Sequence, residues 1–257
     1  MNLNAFIHSS IGRKLLMSLT GLFLCLFLVT HLTGNLQLFL NDNGYAFNNY
    51  AVFMTTNPLI KIVSYVLYIT IPIHAIWGIY LEVKNRRARP QGYAVHPGNA
   101  TSSFFSRNMA ILGTLVLVFI SVHMSGFWYQ YKFGNLAYTA YTENIQTGEI
   151  TSAEHPAIAD KQLEYMKDET TKVTVLRDLY KEVATVFGNN LFFVLFYVAS
   201  MVALSFHLIH GFQSGFQTLG INHKKYTPAI KAVSVWGFGV IIPVLFALIP
   251  LYFYFVK

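Results

Sequence analysis

Five apolar runs, each long enough to cross a bilayer, constrain this chain more than any other feature. They lie at Leu15–Leu40, Leu59–Val83, Met109–Tyr131, Leu191–Phe216 and Ala229–Val256. About 20 apolar residues span the hydrocarbon core as a helix. Lipid offers no partner to an exposed backbone N–H or C=O, so such runs must close their hydrogen bonds internally. A transmembrane barrel would show alternating segments of about 10 residues, and these runs are longer and continuously apolar. Only 11% of the residues are charged, against about 25% in a typical soluble domain. The expectation is one all-α membrane domain over 1–257, with helices at about 15–40, 59–83, 109–131, 191–216 and 229–256. The first run is too long for a cleaved signal peptide and has no small-residue cleavage site after it. It reads as the first membrane helix.

Lys and Arg in the short flanks set an expected orientation. Arg13 and Lys14 precede the first run. Lys84, Arg86, Arg87, Arg89 and Arg107 separate the second from the third, and Lys224, Lys225 and Lys231 flank the last connection. The opposite loop, Asn41–Pro58, has no Lys or Arg, and Asp42 is its only charge. The N-terminus is therefore expected inside. The segment 132–188 becomes a long outer-side insertion, with six basic and nine acidic residues. Its stretch around His155–Val186 has helix-forming composition and reads as a surface helix. The net charge of +7 follows mostly from this topology and gives no nucleic-acid signal.

Within this frame the histidines stand out. His31, His74, His123 and His207 fall one in each of the first four runs. Ionisable groups at bilayer depth are costly and mark function. His31 follows Leu15 by 16 residues and His123 follows Met109 by 14. At about 1.5 Å per residue both lie roughly 21–24 Å from the inner end. His74 and His207 are 15 and 16 residues into runs of the opposite direction, so both lie toward the inner face. The count sorts the four into two pairs, His31 with His123 and His74 with His207. Paired axial histidines are the ligand set of a haem, so two haems stacked across the membrane are expected.

A glycine follows each histidine by three or four residues: Gly34, Gly78, Gly126 and Gly211. That spacing shares a helical face, and glycine lets a porphyrin approach the backbone. Tight helix packing explains the same glycines equally well. His210 lies three residues beyond His207, and either could be the fourth ligand; an interfacial role for His210 stands beside that. Arg13, Lys14 and His210 are candidates to neutralise haem propionates near the inner face, although positive-inside topology accounts for the two cations. Near the outer face, Asn35, Gln37, Tyr45, Trp128 and Tyr129 could serve a quinone or form an interfacial aromatic belt. His8, His96, His155 and His223 read as solvated loop residues.

Several chemistries are not visible. Cys25 is the single cysteine, so the chain's own thiols cannot hold an iron–sulfur cluster. No C-x-x-C-H attaches haem covalently, which leaves the b type. No dinucleotide or P-loop fingerprint is found, and no serine-hydrolase or zinc-protease motif. Such a chain relays electrons and relies on a partner for two-electron chemistry.

Four segments carry a resemblance: T-G-L-F-L-C-L-F-L-V-T-H ending at His31, I-H-A-I-W-G-I-Y around His74, S-V-H-M around His123, and H-L-I-H-G-F-Q-S-G-F-Q-T-L-G from His207. With these the chain resembles the di-haem cytochrome b membrane anchor of succinate dehydrogenase and fumarate reductase, the single-subunit, five-helix type. The resemblance covers nearly all of the chain except the outer segment. It implies that His207, not His210, is the fourth ligand. It further implies two haem b, flavoprotein and iron–sulfur subunits on the inner face, exchangeable menaquinone, and a bacterial inner (cytoplasmic) membrane. Fumarate reductases of this type can carry a glutamate at the outer end of helix two. Phe47 and Asn48 fall near that place here, which favours succinate oxidation. The alternatives are a di-haem subunit of another quinone-linked complex, of formate dehydrogenase or hydrogenase type, and a haem-free polar membrane transporter.

Overall fold

The computed structural model describes residues 2–88, 91 and 103–257, without the side chains of Leu3, Asn4 and His8. Arg89 and His96 lie outside the described residues. Among the described residues, five helices are long and apolar enough to cross a membrane: α1 (Ser10–Phe39), α3 (Pro58–Arg87), α4 (Met109–Phe133), α6 (Leu191–Thr218) and α7 (Thr227–Phe255). Among the described residues, shorter helices between them include α2 (Tyr45–Thr56) and α5 (Leu179–Gly188), and a single helical turn, Phe104–Arg107, precedes α4. The apolar runs end within a few residues of the helices they forecast.

Local chemistry starts the helices. The Ser9 hydroxyl accepts from Gly12 N at 2.9 Å ahead of α1. Asn57 Oδ1 accepts from Leu59 N at 3.0 Å, with Pro58 at the first helical position of α3. Asn190 Oδ1 accepts from Phe193 N at 3.0 Å at the head of α6. Each supplies an acceptor to an otherwise orphaned N–H, and proline costs nothing where no N–H is needed. Two helices contain π-helical stretches, Met124–Tyr129 immediately after His123 and Val233–Ile241 in α7. Such bulges concentrate at functional positions.

The segment 132–188 overturns two expectations. It is not a surface helix around His155–Val186, and the chain is not all-α. It forms a four-stranded antiparallel sheet of β1 (Tyr138–Asn144), β2 (Ile150–His155), β3 (Gln162–Met166) and β4 (Thr171–Arg177) in the order β2-β1-β4-β3. Beyond the end of α4 at Phe133, its helical part is α5. Tyr141 is opposite Thr174 and Ala140 is opposite Val175. Alternate residues therefore face opposite sides. Tyr141 and Leu176 pack on Val52 of α2, while Tyr138, Val173 and Val175 form a second cluster.

The chain divides into two compact units. The first comprises Met1–Thr30, Tyr65–Phe119 and Val198–Ala247; the second comprises His31–Ser64, Ile120–Tyr197 and Leu248–Lys257. In the first, polar contacts fasten α7 to α6. Fully buried Ser234 donates to Ile209 O at 2.7 Å and accepts from Gln213 Nε2 at 3.1 Å. Ser205 donates to Gly239 O.

In the second unit, Asn48 is fully buried. Its Nδ2 donates to Tyr141 Oη at 2.9 Å and to Asp178 Oδ1 at 2.8 Å, and its Oδ1 accepts from Tyr180 N at 2.9 Å. Asp178 also caps α5 through Lys181 N at 2.8 Å and accepts from Thr139 Oγ1 at 2.5 Å. This network ties α2 to β1 and α5. Burial, then the nearby Asp178 carboxylate, raise the pKa of the Tyr141 phenol. Gly44, at φ +84, begins α2 directly beneath the Tyr180 ring, where no side chain fits.

Candidate functional site

Each unit brings two of the four membrane histidines together. In the second unit the imidazoles of His31 on α1 and His123 on α4 have centroids 5.7 Å apart, with planes at 84°. In the first unit His74 on α3 and His207 on α6 are 6.2 Å apart, with planes at 77°. These are the pairs given by the depth count. Two metal–imidazole bonds of about 2 Å, with half a ring on each side, span about 6 Å. The two separations match what a metal ion held between two imidazoles would require.

The donor set narrows what that ion would be. Among the described residues, no group of three or more His, Cys, Asp or Glu is placed to hold a metal. A bare transition-metal ion usually takes three or four protein ligands. Haem iron takes only axial ligands from the protein, because the porphyrin supplies the rest. Two imidazoles fit that need.

The neighbours of the rings bear on which nitrogen is presented. Thr20 Oγ1 donates to Leu16 O at 2.7 Å and lies 3.0 Å from His74 Nδ1. A hydroxyl has one proton. With that proton on Leu16, its oxygen accepts from Nδ1–H, and the Nε2 lone pair is left for a metal. This is the usual orienting device for a ligating histidine. The Tyr197 hydroxyl lies 3.3 Å from His123 Nδ1. Asn35 Nδ2 donates to His31 O at 2.8 Å and is 3.4 Å from His31 Nδ1. His207 Nδ1 and, one turn beyond His74, Trp77 Nε1 are buried with no hydrogen-bond partner among the described residues.

Two glycines press closest on the rings, and neither is among those forecast. A methyl group on Gly21 would lie 3.2 Å from His74 Cε1, and one on Gly113 would lie 3.5 Å from His207 Cε1. Of the forecast glycines, Gly34 packs under the Tyr50 ring and Gly78 faces Met17 at 3.6 Å, so both serve helix packing. Gly126 and Gly211 have nothing within 4 Å of an added methyl. A sequence signal for the missed glycines exists. Gly21 precedes His31 by ten residues, and Gly113 precedes His123 by ten.

The remaining candidates are dispersed. The imidazole that meets His74 is that of His207 and not that of half-buried His210. Arg13 is half-buried, with a guanidinium nitrogen 3.5 Å from Ser10 Oγ, and Lys14 is exposed. Of the quinone candidates, Asn35 touches His31. Tyr45 packs on Tyr141 at 5.1 Å in the α2–sheet core. Trp128 and Tyr129 pack on Phe133, and Gln37 is half-buried. Phe47 and Asn48 are buried, and Asp42 accepts from Gly44 N and Ala46 N ahead of α2. His155 holds Pro156 O at 2.7 Å, and His223 is exposed beside Tyr226.

Compared with family models, curated proteins and solved structures, the chain matches none.

Proposed function

We propose that this chain is a di-haem cytochrome b membrane anchor. His31 and His123 would hold one b haem, and His74 and His207 the other. The observation that carries the reading is that each compact unit contains one histidine pair at ligand spacing. Haem bound this way supplies one-electron transfer. The chain's own residues do the positioning. Thr20 fixes the tautomer of His74, Gly21 and Gly113 keep clearance beside two rings, and Tyr197 steadies His123.

The larger assignment rests on the four motif segments. By their resemblance the chain anchors a succinate:quinone oxidoreductase and carries electrons between an iron–sulfur subunit and menaquinone. The first four spanning helices would form the haem-binding bundle, with the N-terminus inside. Flavoprotein and iron–sulfur subunits would dock on the side with the basic loops, around Arg86–Arg107 and His223–Lys231. A bacterial cytoplasmic membrane fits five spanning-length helices and this loop charge.

The test is purification of the intact complex, with subunit identification and a redox-titrated visible spectrum. Two b-type components at different potentials, with a flavoprotein and an iron–sulfur protein, are expected. No Soret absorption would refute the haem assignment. Two haems with formate dehydrogenase or hydrogenase subunits would refute the succinate assignment alone.

A further inference from the structure

The cations of the outer segment are unevenly used. Lys172 pairs with Glu164 at 2.5 Å, and Lys181 pairs with Glu154. Of the other four, three gather in one place. Lys132 and Lys161 line a cavity of about 500 Å³ together with Lys61, Asp160, Thr55 and Thr56. Lys161 Nζ and the Arg177 guanidinium both lie 5.7 Å from the Tyr131 ring centroid. All these residues belong to the second unit.

Three ammonium groups thus face one carboxylate, Asp160. Among the described residues none of the three forms an ion pair. Burial first, then the neighbouring charges of Lys132, Lys61 and Arg177, lower the pKa of Lys161. Convergent like charges repel, and an anion in the cavity would offset that repulsion. Lys61 is three residues into α3 and Lys132 is one residue from the end of α4. Both stand where spanning-length helices end, at the level of lipid headgroups.

The threonines narrow the ligand further. Thr55 Oγ1 donates to Ala51 O at 2.9 Å, and Thr56 Oγ1 donates to Val52 O at 2.8 Å. With its proton on that carbonyl, the Thr56 oxygen is left to accept. The cavity therefore offers cationic donors for a phosphate, and hydroxyl and carboxylate acceptors for adjoining O–H groups. Its volume falls in the range of small-molecule sites.

We propose that this cavity binds a hydroxyl-bearing phosphate ester, the chemistry shared by a phosphoglycerol lipid headgroup and free glycerol phosphate. The site is independent of the haem assignment. The experiment uses the full chain in neutral detergent, stripped of lipid. Ligand-dependent shifts of the melting midpoint are measured with phosphatidylglycerol, phosphatidylcholine and glycerol 3-phosphate. A shift with phosphatidylglycerol but not phosphatidylcholine is expected. An equal shift with glycerol 3-phosphate assigns the site to the free ester, and its absence assigns it to lipid. Lys132→Gln/Lys161→Gln should weaken binding by roughly tenfold or more, the worth of one charge-assisted hydrogen bond. Asp160→Asn keeps an acceptor oxygen and removes the negative charge that opposes the phosphate, so it should tighten binding, a gain that a misfolded variant would not show. Lys167→Gln, outside the cavity, should leave it unchanged. The proposal is overturned by no shift with any anion, by equal shifts with both lipids, or by unchanged binding in the double lysine variant.

Discussion

His74 and His207 meet across 6.2 Å, yet the protein treats their Nδ1 atoms differently. His74 has the Thr20 hydroxyl at 3.0 Å, while His207 Nδ1 has no hydrogen-bond partner among the described residues. Removing His207 should abolish the haem assigned to this pair. His210→Ala should keep both haems, with at most a shifted potential for one, since residues around a ligand tune the metal without holding it. Difference spectra of the two variants decide this, and the reverse result would move the ligand by one turn. Gly21 gives a second expectation at the same scale. In Gly21→Val the new Cβ sits 3.2 Å from His74 Cε1 and brings two methyls with it. Overpacking of this kind costs about 1–3 kcal/mol. Haem content at the His74–His207 site should fall while the His31–His123 haem persists. Equal loss of both would show that Gly21 supports the bundle in general. The four histidines were legible in the sequence because burial makes each one conspicuous. Gly21 and Gly113 were less so: the ten-residue spacing to His31 and His123 marks their positions, but the rings they meet, His74 and His207, belong to other helices.

At the scale of elements, the spanning helices were readable and the sheet was not. Continuous apolarity over 20 or more residues has few structural solutions. Composition alone, with its Glu, Lys, Ala and Leu, points to a helix in the segment 132–188. The better cue was the β-branched run Thr171-Lys172-Val173-Thr174-Val175 and the aromatic and threonine-rich Tyr138–Thr142. The family resemblance stops at this segment, so it gave no guidance there. Asn48 shows the consequence. The sequence marked it only as standing where a glutamate can occur. In the fold it is fully buried and joins three elements through three hydrogen bonds. Asn48→Ala should destabilise the α2–sheet unit by about 2–3 kcal/mol, because it takes one donor from the buried Asp178 carboxylate and leaves the Tyr180 N–H without its acceptor. Thermal unfolding followed by circular dichroism measures this. A change below about 0.5 kcal/mol, the range of an ordinary surface substitution, would mean that the network is not structural.

At the scale of the whole molecule, two histidine pairs at two expected depths imply a relay. The hydrocarbon core is about 30 Å thick, too far for one haem to serve both surfaces. In the proposed complex, electrons from succinate enter through the pair nearer the inner face and leave toward quinone through His31 and His123. His31→Ala complexes should still oxidise succinate with an artificial acceptor, because the dicarboxylate chemistry belongs to another subunit. They should fail with a menaquinone analogue. Normal quinone reduction without that haem would place the quinone near the iron–sulfur subunit instead. The most direct test of the central claim is haem content, resolved by redox titration, in the four single alanine variants at His31, His74, His123 and His207. The account predicts two b haems in the unaltered protein. It predicts one and the same haem lost from His31→Ala and His123→Ala, and the other lost from His74→Ala and His207→Ala. Loss of one common haem from His74→Ala and His123→Ala would contradict it.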